Sequence, residues 1–487
     1  MQNLKFKVLQ TSLLALVIVL VTGCGTDDVE NEGNHLPDVN IVENDKSVNV
    51  GAEVSLTAIA FDVDGDDLTY QWSFVSKPTD STAELTTNTT TKSSFVADKE
   101  GEYKIKFIST DIFDAKGSDT VTITTKGDTA QVPSLSHSCT TYEELSSNVH
   151  EDTTLDGCYK VYGLVQVSAP LTVKAGSTVV FGSGAKLSIN DEGELNAVGT
   201  ATQPILFTGE EKIAGYWSGI SFRASNHTNN EIAYATIEYA ETGLEMRGNY
   251  GADNRLKLSN TTIQFSKYSG FNFPERSILD KFENVTSTKN GTVAGIVDMS
   301  VVAMLDRESD FTGNLGDDYI VVSGSGISVN STWKKLSVPI NITNHIGVDD
   351  DILLTLEAGS HIVFSDGAYI SSGTKGGFKA VGTAKDPIIF TGKEKVAGYW
   401  QGVKMSSNNP NNILEHTIVE YATNGLIIYT HYAYSSGARV TAKDSIFRHN
   451  QEYGIYMDDD NEDAHYNEDI ESANSFEDNA LGNIGKS

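Results

Sequence analysis

One block of sequence occurs twice in this chain of 487 residues. Residues 197–220 read AVGTATQPILFTGEEKIAGYWSGI, residues 380–403 read AVGTAKDPIIFTGKEKVAGYWQGV, and 17 of the 24 aligned positions are identical. Three of the seven differences exchange one aliphatic residue for another, which packed interior positions tolerate. The chain therefore contains an internal duplication, and this repeat constrains its fold more than any other feature.

Short apolar runs separated by polar turns surround both copies. Runs of three to five residues, such as 178–181 and 205–207, are too short for the arms of a conventional sandwich. They suit a coil in which every turn contributes two or three short parallel strands. Glycine followed by an apolar residue recurs about every 25 residues at Gly243, Gly270 and Gly295, which is near the length of one such turn. The sequence predicts a coil over residues 159–330 and again over 331–487.

Two longer elements sharpen this prediction. LTVKAGSTVVFGSGAKLSI is echoed by LTLEAGSHIVFSDGAYISS, and both copies continue into a GYWxG element. These features resemble the right-handed parallel β-helix proteins of the pectate-lyase-like fold, over about residues 159–487. The resemblance implies a duplicated right-handed parallel β-helix, either continuous or bent near residues 325–350. Residues 128–158 are expected to form a disulfide-closed cap, a plug over one end of the coil, because a repeating core needs a terminal cap. The segment between Cys139 and Cys158 has room for a short helix.

Residues 37–127 show a different pattern, an alternation of apolar and polar residues at period two. It recurs in several short runs, which predicts a β-sandwich. The order of VNVGAEVSLTAIAFDVDGDDLTYQWSFVSKP, SFVADKEGEYKIKFISTD and DTVTITT resembles the PKD and related Ig-like modules of bacterial surface proteins and secreted polysaccharide enzymes. The resemblance implies a spacer or accessory module without catalytic activity. The predicted fold class is therefore all-β, with an Ig-like sandwich followed by the coil.

One loop of this sandwich is crowded with carboxylates, at Asp62, Asp64, Asp66 and Asp67. Clustered carboxylate oxygens are the ligands that Ca²⁺ prefers. The glutamate that would complete an EF-hand loop is missing from the expected spacing, and a hydrogen-bonded Asp/Gly turn explains the same residues. Ca²⁺ is the one cofactor that the sequence suggests.

The amino terminus has the composition of a secretory signal over residues 1–23. Lysines precede an apolar run from Leu13 to Val21, which is too short to span a membrane. Val21-Thr22-Gly23-Cys24 resembles the lipobox of bacterial lipoproteins. That resemblance implies acylation of Cys24, which would anchor the protein in a lipid bilayer. Because Gly25 follows, it also implies the outer membrane, with possible exposure at the cell surface. Residues 24–36 form an acidic tether.

Two further cysteines remain, Cys139 and Cys158. In an exported protein such a pair is expected to form a disulfide, which closes a loop of about twenty residues and contributes about 3 kcal/mol.

Charge and motifs exclude several classes of function. With 35 basic and 66 acidic residues the net charge is 35 − 66 = −31, which repels nucleic acid. The distinctive elements of the polygalacturonase signature are missing, as are HExxH and P-loop motifs. The acidic runs in the coil are typical of solvated turns.

The repeated aromatic pairs are the best candidates for binding, at Tyr216-Trp217 and Tyr399-Trp400. They either stack against sugar rings or pack under a long turn. The leading hypothesis is a non-catalytic surface lipoprotein that binds glycans, adheres or organises the surface, with a polysaccharide or surface protein as partner. A polysaccharide lyase or glycoside hydrolase is the first alternative, although this rests on analogy at fold level. A purely structural surface component is the second.

Overall fold

The computed structural model describes residues 34, 36–41, 46–49, 53–62, 66–126, 139–248, 252–324, 326–429, 437–458 and 464–486. The chain divides into two compact units, with the boundary between Thr125 and Lys126.

The first unit is a sandwich of two sheets, one in the order β1-β3-β5 and the other in the order β2-β7-β6-β4. Pairing is antiparallel wherever its register is defined. Trp72, Phe95, Tyr103 and Phe107 are fully buried and pack against one another, as the alternating sequence predicted. The strands are β1 (Asp38–Ile41), β2 (Lys46–Asn49), β3 (Glu53–Phe61), β4 (Thr69–Ser76), β5 (Lys92–Val96), β6 (Gly101–Thr110) and β7 (Lys116–Lys126).

The second unit is a parallel β-helix, and its first copy, counted together with residues 139–158, contains all of an 11-stranded sheet and part of a 13-stranded sheet. The strands of this copy are β8 (Glu143–Leu145), β9 (Thr153–Leu155), β10 (Cys158–Val161), β11 (Leu164–Val167), β12 (Pro170–Val173), β13 (Thr178–Phe181), β14 (Lys186–Ile189), β15 (Glu194–Val198), β16 (Ile205–Gly209), β17 (Ile220–Arg223), β18 (Glu231–Ala233), β19 (Ala235–Glu238), β20 (Leu244–Arg247), β21 (Asn254–Gln264), β22 (Phe271–Phe273), β23 (Ser277–Thr288) and β24 (Gly295–Asp298).

A single short helix in the described part of the chain, α1 (Met299–Val302), follows β24. The first copy ends with β25 (Ile320–Ser323) and β26 (Gly326–Ile327). The second copy then contributes β27 (Ser331–Trp333), β28 (Ile340–Ile342), β29 (His345–Val348), β30 (Leu353–Leu356), β31 (His361–Phe364), β32 (Tyr369–Ser372), β33 (Gly377–Val381), β34 (Ile388–Gly392), β35 (Gly402–Met405), β36 (Ile413–Glu415), β37 (Thr417–Glu420), β38 (Leu426–Tyr429), β39 (Arg439–Lys443), β40 (Ile446–Arg448), β41 (Tyr453–Asp458), β42 (His465–Tyr466), β43 (Ser475–Glu477) and β44 (Gly482–Lys486).

Each turn of the coil sends alternate side chains into a shared interior. In β11, Val165 and Val167 are buried while Leu164 is exposed, and the same alternation recurs along the coil. One continuous apolar core therefore runs through both copies. The shared glycine of each GYWxG element has a positive φ, 87° at Gly219 and 110° at Gly402. A Cβ at either position would lie 1.9 Å from a backbone oxygen of the next turn, so only glycine fits.

The second copy is rotated about the coil axis relative to the first. Each of its strands lies one face away from the first-copy strand with which it aligns in sequence. A sheet of 13 strands begins in the first copy with β11, β14, β17, β20, β22, β24 and β25. It continues in the second copy with β28, β31, β34, β37, β40 and β43. Yet β31 aligns in sequence with β13, which belongs to a different face of the first copy. Equivalent residues of the two copies therefore lie on different sides of the coil.

The join between the copies is a continuation of the coil. β24 pairs with β25 and β25 pairs with β28, so the hydrogen-bonded ladder passes through residues 295–342 without a break. α1 contacts both β23, in the 11-stranded sheet, and β26, which opens the 7-stranded sheet. One face of the coil is therefore continuous through the join, whereas the 11-stranded sheet ends there and the 7-stranded and 6-stranded sheets begin.

The segment at the amino-terminal end of the coil contains strands in place of a short helix. Within residues 139–158, β8 pairs in parallel with β10, and β9 pairs with β12. The segment therefore forms the terminal turn of the coil. The disulfide between Cys139 and Cys158 is present, with a Cα–Cα distance of 5.9 Å, and ties the start of this turn to β10.

Candidate functional site

The two repeated tryptophans lie in the interior of the coil. Trp217 and Trp400 are fully buried, and each stacks on a phenylalanine of the preceding turn, with ring centroids 3.8 Å apart for Phe181 and 4.0 Å apart for Phe364. Each indole Nε1 donates a hydrogen bond of 2.9 Å to a backbone carbonyl. Of the two alternatives, interior packing is therefore the one observed for both indoles, and stacking on sugars is wrong for them because no face of either ring is accessible.

The neighbouring tyrosines, Tyr216 and Tyr399, are half-buried. A Cβ at Gly209 or Gly392 would lie 3.1 Å from the respective tyrosine ring, so each ring lies close over a glycine of its own turn. Because the second copy is rotated by one face, the two tyrosines lie on different sides of the coil. They therefore do not form one row along which a chain of sugars could lie.

A second surface with aromatic residues lies on the outside of the sheet that contains β29, β32, β35, β38 and β41. We call this surface the aromatic face. It consists of three residues with aromatic rings, His345, Tyr369 and Tyr456, together with Lys404 and Ile427. All five are partly exposed, while their strand neighbours Ile346, Ile370, Val403, Leu426 and Ile455 are buried.

Strand register places these side chains in adjacent columns. His345 lies opposite Tyr369, and Lys404, Ile427 and Tyr456 follow one another across successive strands. Neighbouring strands are about 4.8 Å apart, so the rungs of Tyr369 and Tyr456 are separated by about 14 Å. The aromatic face is therefore a strip that runs along the coil axis.

Ring contacts fix the orientation of this strip. His345 stacks on Tyr369 with centroids 5.3 Å apart, and the Lys404 ammonium lies 4.0 Å from the centroid of the Tyr369 ring. Lys404 also donates a hydrogen bond to Gln401 Oε1, and it forms no ion pair with any described residue. Burial lowers the pKa of Lys404. The result is an aromatic surface with one cation that lacks a carboxylate partner in the described chain.

The equivalent surface of the first copy has a different chemistry. We call it the ion-paired face, and its residues are Leu164, Lys186, Ser221, Glu245 and Asn272. Lys186 Nζ lies 3.3 Å from Glu245 Oε2, and Arg247 Nε lies 2.8 Å from Glu245 Oε1. Its charges are paired with one another, and it carries no aromatic ring at the positions of Tyr369 and Tyr456.

A buried carboxylate with several partners lies on the 13-stranded sheet. Glu420 is 6% exposed and accepts hydrogen bonds from Thr391, Lys395 and Arg448, at 2.8 to 3.2 Å. Burial raises the pKa of Glu420, but the opposing effects of Lys395 and Arg448 are larger in sum, so the net shift is downward. The carboxylate is fully engaged, which favours a structural role over proton transfer.

His361 lies close to this network. Burial, with a smaller contribution from Lys395, lowers the pKa of His361 to about 4. Its Nε2 is buried and has no hydrogen-bond partner within the described chain. The imidazole is therefore neutral at physiological pH, and the first copy has Thr178 at this position.

The aspartate loop of the sandwich is only partly as expected. Asp62 and Asp66 lie close to Asp111, with one carboxylate oxygen of each within 4.8 Å of the others. Asp64 lies outside the described residues, and Asp67 is exposed and is not part of this group. An all-oxygen donor set fits Ca²⁺.

Asp111, the third member, was missed by sequence reasoning because it lies in the turn after β6. It is 5% exposed and its carboxylate also accepts hydrogen bonds from the backbone of Phe113 and Ala115, both at 2.8 Å, which is typical of a turn residue. Nothing in the linear sequence connects this turn with the DVDGDD loop.

The predicted acylation site, Cys24, and the signal and tether segments up to residue 33 lie outside the described residues. In the part of the chain that the structure describes, no helix has the length and apolar character needed to cross a bilayer.

Family comparisons agree with the two-part organisation of the chain. Residues 43–125 match a family described as a PKD domain, and residues 147–322 match the family described as pectate-lyase like beta helix domain. The predictions of a PKD module and of a pectate-lyase-like β-helix are thereby confirmed. No curated protein matches the chain.

Three solved structures show similarity to short portions of the chain. The PKD domain from KIAA 1837 protein is 13% identical over 20% of this chain and 95% of its own, with a TM-score of 0.16. The PKD domain from human KIAA0319 is 19% identical over 21% and 93%, with a TM-score of 0.17. The fibronectin(III)-like modules of Clostridium thermocellum CbhA are 20% identical over 19% and 47%, with a TM-score of 0.16.

Proposed function

We propose that this protein, a PKD domain followed by a pectate-lyase-like β-helix domain, is a non-catalytic glycan-binding protein of the cell surface that uses the aromatic face. The two domains fit a surface or adhesion role. The observation that supports glycan binding most directly is the strip formed by Tyr369, Lys404 and Tyr456, which places two partly exposed tyrosines and an ammonium without an acidic partner in the described chain on one face.

The physical chemistry of the strip suits a sugar chain. Tyrosine rings combine an apolar surface with a hydroxyl that stays hydrated, so they contact ligands that are partly apolar and partly polar. A polar group placed among aromatic side chains fixes the orientation of a bound ligand. The regular spacing of β-strands repeats these contacts along the coil axis, as an extended polymer requires.

Retention on a polysaccharide array tests this function. The full chain is applied to neutral and acidic polysaccharides, and both retention and the appearance of new reducing or unsaturated ends are measured. Tyr456→Asn, which installs the residue of the first copy, is expected to weaken retention about fivefold, since a ring contact contributes roughly 1 kcal/mol. Asn272→Ala on the ion-paired face is the matched control and is expected to leave retention unchanged.

Two outcomes would overturn the proposal. Equal retention of wild type and Tyr456→Asn would remove the aromatic face as the binding surface. Cleavage of a polysaccharide by the wild type would instead support the lyase or hydrolase alternative.

Acylation of Cys24 is the proposed mode of attachment, supported by the lipobox-like Val21-Thr22-Gly23-Cys24. One acyl chain gives only marginal membrane binding, and several chains on one cysteine hold a protein firmly. Labelling of cells with a palmitate analogue is expected to mark the wild type and to leave Cys24→Ser unlabelled. Equal labelling of both would contradict the anchor.

Calcium binding to Asp62, Asp66 and Asp111 is the proposed cofactor interaction, supported by the proximity of their oxygens. Titration calorimetry of the full chain with CaCl₂ is expected to show heat that Asp111→Asn reduces. Asp67→Asn is the control, because this exposed residue lies outside the group. Heat that persists unchanged in Asp111→Asn, or no heat in the wild type, would contradict the site.

A further inference from the structure

At one corner of the coil, equivalent residues of successive turns lie directly above one another. The chain bends there at a residue with positive φ, which is 49° at Asn260 and 52° at Asn284 in the first copy. Asn284 Nδ2 donates a hydrogen bond of 2.8 Å to Asn260 Oδ1 in the turn before it. Side chains at this corner therefore reach one another from turn to turn.

In the second copy the same corner collects three metal-ligating side chains. Glu415 ends β36, His416 is the corner residue of that turn with φ 48°, and Asp444 is the corner residue of the next turn with φ 52°. One ligand atom from each of the three lies within 4.8 Å of the other two. Glu415 and His416 are partly exposed and Asp444 is exposed, so water can complete a coordination shell.

The first copy shows that the fold does not require these residue types. The positions of Glu415, His416 and Asp444 are there Ala233, Tyr234 and Asn260, none of which is a carboxylate or an imidazole. Tyr234 has φ 48°, the same as its counterpart, so the corner forms equally well without ligands. All three positions differ together, in the one copy where their side chains converge.

The charges around the corner favour a cation. Lys443 Nζ lies 3.0 Å from Glu415 Oε1 in a cross-strand ion pair. Glu415 and Asp444 contribute two carboxylates against this one ammonium, which leaves the corner with a net negative charge that a divalent ion would neutralise.

We propose that Glu415, His416 and Asp444 bind a divalent transition metal ion of the Zn²⁺ class. The donor set of one imidazole nitrogen and two carboxylate oxygens suits Zn²⁺, whereas Ca²⁺ and Mg²⁺ take oxygen ligands only. Zinc bonds of about 2 Å bring the ligand atoms of a tetrahedral site about 3.3 Å apart, so the three side chains rotate inward around the ion. The ion links two successive turns of the second copy and displaces Lys443 from Glu415.

Calorimetry with zinc alone as the probe tests the site. The full chain, freed of metal with a chelator and supplied with excess Ca²⁺ to occupy oxygen-only sites, is titrated with ZnCl₂. The wild type is expected to bind one equivalent that depends on His416, and His416→Tyr is expected to bind about tenfold more weakly or not at all, since it removes the only nitrogen ligand. Because tyrosine is the residue of the first copy, the variant is expected to fold, and melting in the presence of chelator checks this.

Two controls separate the site from other ligands. His361→Thr and His449→Phe each install the first-copy residue at a histidine elsewhere on the coil, and both are expected to leave zinc affinity unchanged. Lys443→Ser, also the first-copy residue, is expected to raise the affinity severalfold because it frees Glu415 from its ion pair. A site made of surface carboxylates in general would show neither pattern.

No zinc heat in the wild type would overturn the proposal. So would zinc affinity that is unchanged in a correctly folded His416→Tyr protein.

Discussion

Equivalent positions in the two copies of the coil diverge according to whether they point inward or outward. Inside, Phe181 with Trp217 and Phe364 with Trp400 form the same stacked pair, with centroids 3.8 and 4.0 Å apart. Outside, the aromatic face of the second copy stands against the ion-paired face of the first. Close packing keeps the interior residues of the two copies alike, because large changes of side-chain volume leave cavities or strain. The outer positions are free to acquire binding chemistry.

Substitutions of the interior tryptophans are expected to have the largest effect on stability. Trp217→Ala and Trp400→Ala are each expected to reduce the free energy of unfolding by about 3 to 5 kcal/mol, because each removes a fully buried ring and its stacking partner's contacts. The two losses should agree within about 1 kcal/mol. Urea unfolding of both variants measures this. A loss under about 1 kcal/mol in either would show that the interiors are not equivalent.

The second difference between the copies is His361, which has Thr178 as its counterpart in the first copy. The folded chain holds His361 neutral down to about pH 4, whereas an unfolded chain protonates histidine near pH 6.5, so the unfolded state binds more protons between these values. The stability of the wild type therefore falls as pH falls from 6.5 to 4, by about 2 to 3 kcal/mol from this residue. The variant His361→Thr, which installs the residue of the first copy, is expected to lack this pH-dependent loss of stability.

The measurement is urea unfolding of wild type and His361→Thr at pH 4, 5, 6 and 7. His449→Phe is the control for loss of a histidine elsewhere on the coil. Parallel pH profiles of wild type and His361→Thr would contradict the account.

The smallest of these effects concerns the buried carboxylates. Glu420 is paired with Arg448 and Lys395, whereas Glu238 of the first copy has Gln264 and Lys212 as partners. Arg448→Gln is expected to reduce the free energy of unfolding by about 1 to 2 kcal/mol, because it leaves a 6% exposed carboxylate with less compensation. Gln264→Arg in the first copy is expected to change it by under about 1 kcal/mol, because Glu238 is less buried and its new ion pair is screened. Equal changes in the free energy of unfolding for the two variants would contradict a difference between Glu420 and Glu238.

The fold was largely predictable from sequence, because periodicity and repetition follow directly from burial. Alternation in residues 54–60 predicted the sandwich, and the short runs around 178–207 predicted the coil. The disulfide between Cys139 and Cys158 was also predicted correctly. The short helix considered between the cysteines is not observed, since this polar segment forms two strands that pair with later turns.

The candidate site was less predictable, for two physical reasons. Repetition marks residues that the interior holds constant, so it drew attention to Trp217 and Trp400, which are buried. The residues proposed to bind, such as Lys404, lie where the copies differ, and only strand register brings them into one strip. Alignment of the copies with attention to outward positions that change, such as Lys186 to Tyr369, is the signal that would have found the aromatic face.

The most direct test exchanges the outer residues of the two faces and leaves the interior intact. A chain with Tyr369→Lys, Lys404→Ser, Ile427→Glu and Tyr456→Asn presents the first-copy residues on the aromatic face, and retention on the polysaccharide array is compared with that of the wild type. We predict that retention is lost while the melting temperature stays within a few degrees of the wild type. Undiminished retention by the exchanged chain would contradict the claim that the outer face of the second copy binds glycans.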